Sequence, residues 1–376
     1  IQHLDSYDVK IQNEVFEKLL LSCREMSDGQ KIKIKNKIRH EIYSHRYFCD
    51  SDWSMSEDVL RQYEILMNEI VVSEKVYDYI YIFSAAHDFP LLHPVPFCRE
   101  ESKESRNKNH ILREEEIKTR IQDITEKEYS LEKLIELTVN EEYSLLGEVL
   151  AQFYCDGIFN EDVFSLLMEK DEKGKSVYDY VRYLHRNGTV DLIEVIDKVK
   201  GLSDDNNLLV NLISLEFIED DETAIIARED EEIKKMYWSR NLRLRISGEA
   251  EHKVFVWALD ECKKYGSLHT YLELLYDVKD KMTSQELYNA IFVISDLKSD
   301  VASSMTDYYL EEILKELQES FIMDDEKCAE LAILEWMCRN VLEWEQMKCM
   351  QKVMKDDPTL YAQLVRIIYK ADDNEP

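Results

Sequence analysis

Apolar residues recur along this chain at spacings of three and four, the period that gathers side chains on one face of an α-helix. Val9, Val15, Phe16, Leu19 and Leu20 set the pattern over residues 7–26, and Asp28-Gly29 ends it. Lys31-Ile-Lys-Ile-Lys-Asn-Lys-Ile-Arg39 alternates strictly and, taken alone, fits a strand. Continued to Phe48, however, Ile34, Ile38, Ile42 and His45 return at four and three, which predicts a helix with a basic flank. Ser54-Met-Ser-Glu57 has the spacing of a capping box, in which hydroxyl and carboxylate each satisfy an orphan backbone donor. It predicts a helix from there to Ile70, and a further helix is expected over 74–86, stopping before Pro90.

Between Phe97 and Asp357 the sequence has no proline, so nothing interrupts helical backbone bonding over that run. Leu145, Leu146, Val149, Leu150 and Phe153 make one apolar face, and Leu192, Val195, Ile196 and Val199 another. Gly188, Gly201 and Gly266 stand where glycines follow helix ends. Thr283-Ser-Gln-Glu286 is a second capping box, and Asp357-Pro358 offers an N-cap followed by proline at the first helical position. These signals predict roughly eighteen to twenty helices with short connections. The expected fold is all-α: stacked helix hairpins in an irregular α-solenoid-like array of helical repeats. Val76-Tyr-Asp-Tyr-Ile80 echoes Val177-Tyr-Asp-Tyr-Val181, but no constant period accompanies the echo.

The stretch 87–109 holds Pro90, Pro94 and Pro96, followed by a polar run without apolar periodicity. It is expected to be a linker or an exposed loop between an N-terminal helical lobe, 1–86, and a C-terminal helical-repeat lobe, 110–376. At 376 residues a single core is improbable, since cores stop growing at about 250–300 residues.

Charge narrows the function classes. The net charge is −31, with acidic runs at Glu114–Glu116, Glu219–Glu222, Glu229–Glu232 and Asp324–Glu326, and such a surface repels nucleic-acid phosphates. Residues 1–50 depart from this, with nine Lys/Arg against eight Asp/Glu. The eight cysteines form no CxxC pair and read as reduced thiols of a cytoplasmic protein. No apolar stretch reaches the roughly 20 residues of a membrane span, and no secretory signal opens the chain. The sequence starts at Ile1, which suggests a fragment of something longer.

Candidate chemistry is sparse. Arg39-His-Glu-Ile-Tyr-Ser-His45 has the Arg…His spacing of HEPN ribonucleases, in which a paired Arg and His cleave RNA by acid–base and charge stabilisation. Arg39 and His45 are therefore the candidate catalytic pair of an alternative, RNA-cleaving or RNA-binding reading; the competing one is a basic helix face with His45 packed inward. His40, His45 and Cys49, or His87, His93 and Cys98, lack the compact pairing and fourth ligand of a zinc site. Lys234, Lys235, Arg240, Arg243 and Arg245 surround Tyr237-Trp238, and pairing with the acids of 219–232 is the expected fate of that island. Helical spacing places Trp257 and Trp336 in the core. There is no GxGxxG, GxxxxGK[ST], HExxH or GxSxG, so no cofactor or metal is expected.

A series of short signposts resembles the helical C-terminal region of large bacterial STAND-type NTPases, the architecture of AVAST-like antiviral sensors. They are Ile38-Arg39, Ile42 and His45-Arg46-Tyr-Phe-Cys-Asp-Ser-Asp-Trp53-Ser-Met; Ile82-Phe83 ahead of His93-Pro94; Met236-Tyr237-Trp238; Leu334-Glu335-Trp336; and Asp357-Pro358-Thr-Leu-Tyr361. The resemblance implies that nucleotide-binding and effector domains lie upstream of Ile1. It implies that this chain is not itself an enzyme but the sensor, recognising a foreign (phage) protein and triggering oligomerisation of the full-length protein. On that reading Arg39 and His45 are structural.

Overall fold

The computed structural model describes residues 9–83, 89–139, 145–240, 246, 250–295, 304–338, 342–356, 359 and 362. The protein is all-α. Among the described residues there are 17 α-helices and no strand, only an isolated bridge between Ile218 and Ile246. The chain divides into two compact units, residues 1–212 and 213–376.

The first unit holds α1 (Val9–Arg24), α2 (Asp28–Tyr47), α3 (Glu57–Glu69), α4 (Ser102–Asp123), α5 (Leu131–Thr138), α6 (Leu146–Val149), α7 (Glu161–Lys170), α8 (Lys175–Arg186) and α9 (Leu192–Leu202), and α10 (Asn206–Ile213) closes it. Two helices continue as π-turns, α4 through Ile124–Glu128 and α6 through Leu150–Tyr154. Phe16 and Cys23 of α1, Ile38 and Ile42 of α2, and Leu60, Tyr63, Leu66 and Met67 of α3 form one buried cluster. The alternating 31–39 stretch is thus helical, and Ser27 and Gln30 start it with a reciprocal capping box.

Three local expectations are corrected here. α3 begins at Glu57, not at Ser54, because the Ser54 hydroxyl donates to the His45 carbonyl (2.7 Å) and Glu57 turns to Arg46. The 74–86 segment is two 3₁₀ turns, Lys75–Asp78 and Ile80–Phe83, with residues 84–88 outside the described set. Ile80, Tyr81, Ile82 and Phe83 are all buried, and four consecutive inward side chains leave an α-helix no solvent face. Gly201 lies inside α9, whereas Gly188 follows α8 with the positive φ of 65° that favours glycine.

Residues 89–109 lie within the first unit and are strapped down. Arg113 donates to the Phe89 carbonyl (2.8 Å), and Phe97 N–H to the Tyr47 carbonyl (2.6 Å). Asn109, buried on α4, holds the Val95 backbone on both sides, accepting from its N–H (2.7 Å) and donating to its carbonyl (2.9 Å).

The second unit comprises α11 (Glu231–Ser239), α12 (His252–Tyr265), α13 (Leu268–Val278), α14 (Ser284–Ile291), α15 (Ser304–Phe321), α16 (Asp325–Met337) and α17 (Lys348–Asp356). Each packs on near neighbours in sequence: α11 on α12, α12 on α13, α13 and α14 on α15, α15 on α16, α16 on α17. The Thr283–Glu286 capping box starts α14 as its sequence predicts. Trp238 is the fully buried tryptophan, while Trp257 and Trp336 are half-buried. Asp357-Pro358, Arg243 and Arg245 lie outside the described residues.

Candidate functional site

The C-terminal end of α2 and the loop after it concentrate the unusual chemistry of the first unit. Arg46 is its hub. It is buried, yet its guanidinium reaches Glu57 through Nε (3.0 Å) and Nη2 (2.6 Å), and Glu64, the Leu92 carbonyl (2.6 Å) and His93 Nδ1 (3.0 Å) through Nη1. Burial works against its charge, and the bonds from Glu57 and Glu64 more than offset that, so its pKa is raised. The Arg46 contact in turn holds the Glu57 carboxyl below its ordinary range. One side chain therefore ties α2, α3 and the proline-rich loop together with charge-assisted bonds.

That clamp fixes an aromatic surface. Tyr43 and Tyr47 stack on α2 at 5.3 Å between centroids; Tyr47 meets Phe97 at 5.7 Å, Phe97 meets Phe48 at 5.6 Å, and Phe48 meets Trp53 at 5.9 Å. The outer rings face solvent, Trp53 at 55 % exposure and Phe48 at 38 %. Exposed aromatics held on a stiff support are the composition that protein interfaces enrich. The HRYFCDSDW run announces these residue types, but the role of Arg46 depends on partners eleven to forty-seven positions away, which no local pattern shows.

Arg39 and His45, the candidate pair of the ribonuclease reading, are both buried and serve different neighbours. His45 Nδ1 accepts from the Met55 N–H (3.1 Å), and its ring packs edge-on against Trp53 at 5.1 Å. Its Nε2 lies 3.9 Å from Glu41. Arg39 stacks on the Tyr81 ring, 3.7 Å from its centroid, with Nη1 3.9 Å from Glu116. Burial pushes the Tyr81 phenol well above its ordinary pKa, so it keeps its proton and donates to Glu116 (2.6 Å). A general base needs a free ring lone pair; on His45 the Nδ1 lone pair accepts from the backbone, which places the proton of a neutral ring on Nε2.

Among the described residues no His, Cys, Asp and Glu group is arranged to hold a metal ion. All eight cysteines are free thiols, with Cys49 and Cys98 exposed. In the second unit the acids of 219–232 are met by α12: Lys253 lies 3.3 Å from Asp220 and 3.1 Å from Asp221, and Lys264 lies 3.4 Å from Glu231. The sequence island is thus not the only cation source for that acidic run. No described helix is long and apolar enough to cross a membrane. No protein-family model matches the sequence, and neither the curated proteins nor the solved structures yield a match.

Proposed function

We propose that this chain is a protein-recognition scaffold and that the Phe48–Trp53–Phe97 surface is its contact. The observation that carries the reading is that surface itself: the large rings of Phe48 and Trp53 left open to solvent between α2 and α3, two helices that the buried Arg46 ties together. A rigid aromatic anchor binds with little loss of side-chain entropy, which is why such residues dominate binding energy at interfaces. Helices packing in succession on their sequence neighbours extend the surface available to a partner, in the manner of a helical repeat. With the STAND-like signposts of the sequence, this supports a cytoplasmic sensor region of a bacterial antiviral NTPase that recognises a phage protein.

The test is phage challenge of bacteria carrying the complete encoding gene, wild type or Trp53→Asp. Plaque counts should fall on the wild-type strain and recover with Trp53→Asp, while the purified variant keeps the wild-type melting curve. Trp53 is half exposed, so its replacement leaves the core intact. Protection that survives both Trp53→Asp and Phe48→Asp would remove this surface from the function, and absence of protection in the wild type would remove the sensor reading.

A further inference from the structure

A cavity of about 220 Å³ opens in the first unit between α2, the two 3₁₀ turns and α4. Its walls carry Lys35 and Arg39 from α2, Tyr77, Asp78 and Tyr79 from the 3₁₀ segment, and Arg120 from α4. Three cations thus converge on one hollow in a chain whose net charge is −31. Surface lysines and arginines scattered among acids need no explanation; two from α2 and one from α4, around one cavity, do.

The resident acids leave these cations incompletely matched. Lys35 is engaged, 2.5 Å from Asp78 Oδ1 and donating to the Ile70 carbonyl (2.9 Å). Glu116 is the acid near Arg39, but at 3.9 Å it is beyond hydrogen-bond reach, and its Oε1 accepts from Tyr81 instead. Arg39 is 7 % exposed, and its Nη1 is buried without a hydrogen-bond partner in the protein. Arg120 Nε is likewise buried and unbonded, although the guanidinium lies over the Tyr79 ring, 5.2 Å from its centroid. A buried donor left unmade in this way is costly, more so when charged. Both guanidiniums thus line the cavity with a donor that the protein leaves unbonded, and the buried Asp78 Oδ1 on the same wall, also without a hydrogen bond, has its charge balanced by Lys35 at 2.5 Å. Counting Asp78 and Glu116 against Lys35, Arg39 and Arg120, the locality retains a single positive charge.

We infer that this cavity is a binding site for a phosphoryl group, carried by inorganic phosphate or by a small phosphate ester. Planar guanidinium forks match phosphate oxygens bidentately, and the Tyr faces already hold both forks in place by stacking. At the roughly 30 Å³ that a water occupies in the liquid, the cavity holds more than the phosphoryl group itself. Tyr77 and Tyr79 supply a rim on which the remainder of an ester rests. The segment that builds that rim is the Val76–Ile80 echo noted in the sequence, which the protein-recognition surface does not use.

Isothermal titration of the full chain at matched ionic strength tests the inference, with inorganic phosphate and adenosine monophosphate as the two probes. Saturable binding at millimolar concentration or below is expected for at least one. Equal affinity for both identifies free phosphate as the ligand; an affinity for the nucleotide tenfold higher identifies an ester seated on the tyrosines. Arg120→Gln should weaken binding at least tenfold. Asp78→Asn should tighten it several-fold, because it releases Lys35 and removes a competing carboxylate, and a gain of affinity is something misfolding cannot imitate. Lack of saturable binding by the wild type would overturn the site, as would affinities that Arg120→Gln and Asp78→Asn leave unchanged.

Discussion

Gly147 gives the sharpest test of the packing in the first unit, because two physical effects predict opposite signs for Gly147→Ala. Within a helix, alanine is favoured over glycine by about 1 kcal/mol, so propensity alone predicts stabilisation. The structure predicts the reverse. A Cβ on Gly147 would sit 1.8 Å from the Ser176 carbonyl oxygen and 2.7 Å from Tyr180 N, both backbone atoms of α8. Restoring van der Waals contact requires α6 and α8 to part by roughly 1.5 Å, since carbon and its neighbours rest at about 3.5 Å. Val149, Leu150, Val177, Tyr180 and Val181, all fully buried, meet in that region and would lose close contact together. Overpacking costs about 1–3 kcal/mol and opened core space about 2–5 kcal/mol, so a net loss of about 3 kcal/mol remains after the propensity gain. Urea denaturation with hydrogen exchange of the α8 amides measures it locally, without assuming that both units unfold together. A variant as stable as the wild type, or more so, would show that α6 and α8 do not approach as closely as described.

Two further expectations concern buried acids. Burial raises Asp179 to about 6, against the opposing pull of Arg182 at 2.8 Å. The folded state therefore binds this proton more tightly than the unfolded one, and the stability it contributes is complete below about pH 4 and lost as pH rises through about 6. Asp179→Asn removes that slope, so between these limits the variant should gain on the wild type by up to about 3 kcal/mol; a difference that stays flat with pH refutes the assignment. Glu335, fully buried on α16, accepts from Cys349 N–H (3.1 Å), Met350 N–H (2.7 Å) and Gln318 Nε2 (2.7 Å), tying the start of α17 to α16. Glu335→Ala strands these donors and should cost about 3 kcal/mol or more, while Glu335→Gln, which keeps an acceptor oxygen, should cost clearly less; equal losses in thermal melts would refute the capping role.

What the sequence conveyed well was periodicity, and what it conveyed poorly was which polar residue serves which neighbour. The apolar faces of α2 and α9 appear where the spacing placed them, because burial enforces a helical period directly. Ser54 and Glu57 had the letters of a capping box, but His45 and Arg46 claimed them, so a local rule gave way to tertiary bonds. The proline cluster at 90–96 marked irregular backbone correctly but not a boundary. Asn109, read as the end of a polar run, and Arg113, just beyond it, strap that backbone to α4, whereas the division at 212 falls within an apolar helix that carries no proline or glycine.

The two copies of the Val-Tyr-Asp-Tyr pattern show the same limit in one comparison. Val177–Val181 lies inside α8, preceded by Gly174 and followed by Arg182, Tyr183 and His185, so polar positions return in time to give the helix an outer face. Val76–Ile80 runs instead into Tyr81-Ile-Phe83, whose buried side chains follow one another without a break, and the backbone tightens into 3₁₀ turns. The consequence is chemical. In α8 the aspartate is buried and answered by Arg182, while in the 3₁₀ segment Asp78 is partly exposed and answered by Lys35 at the mouth of the cationic cavity. The Val-Tyr-Asp-Tyr pattern is core in one context and cavity wall in the other, and the sequence around it, not the pattern itself, accompanies the difference. The walls of that cavity come from positions 35–39, 67–68, 77–79, 81, 92 and 120, so its existence could not be read from any single stretch of the chain.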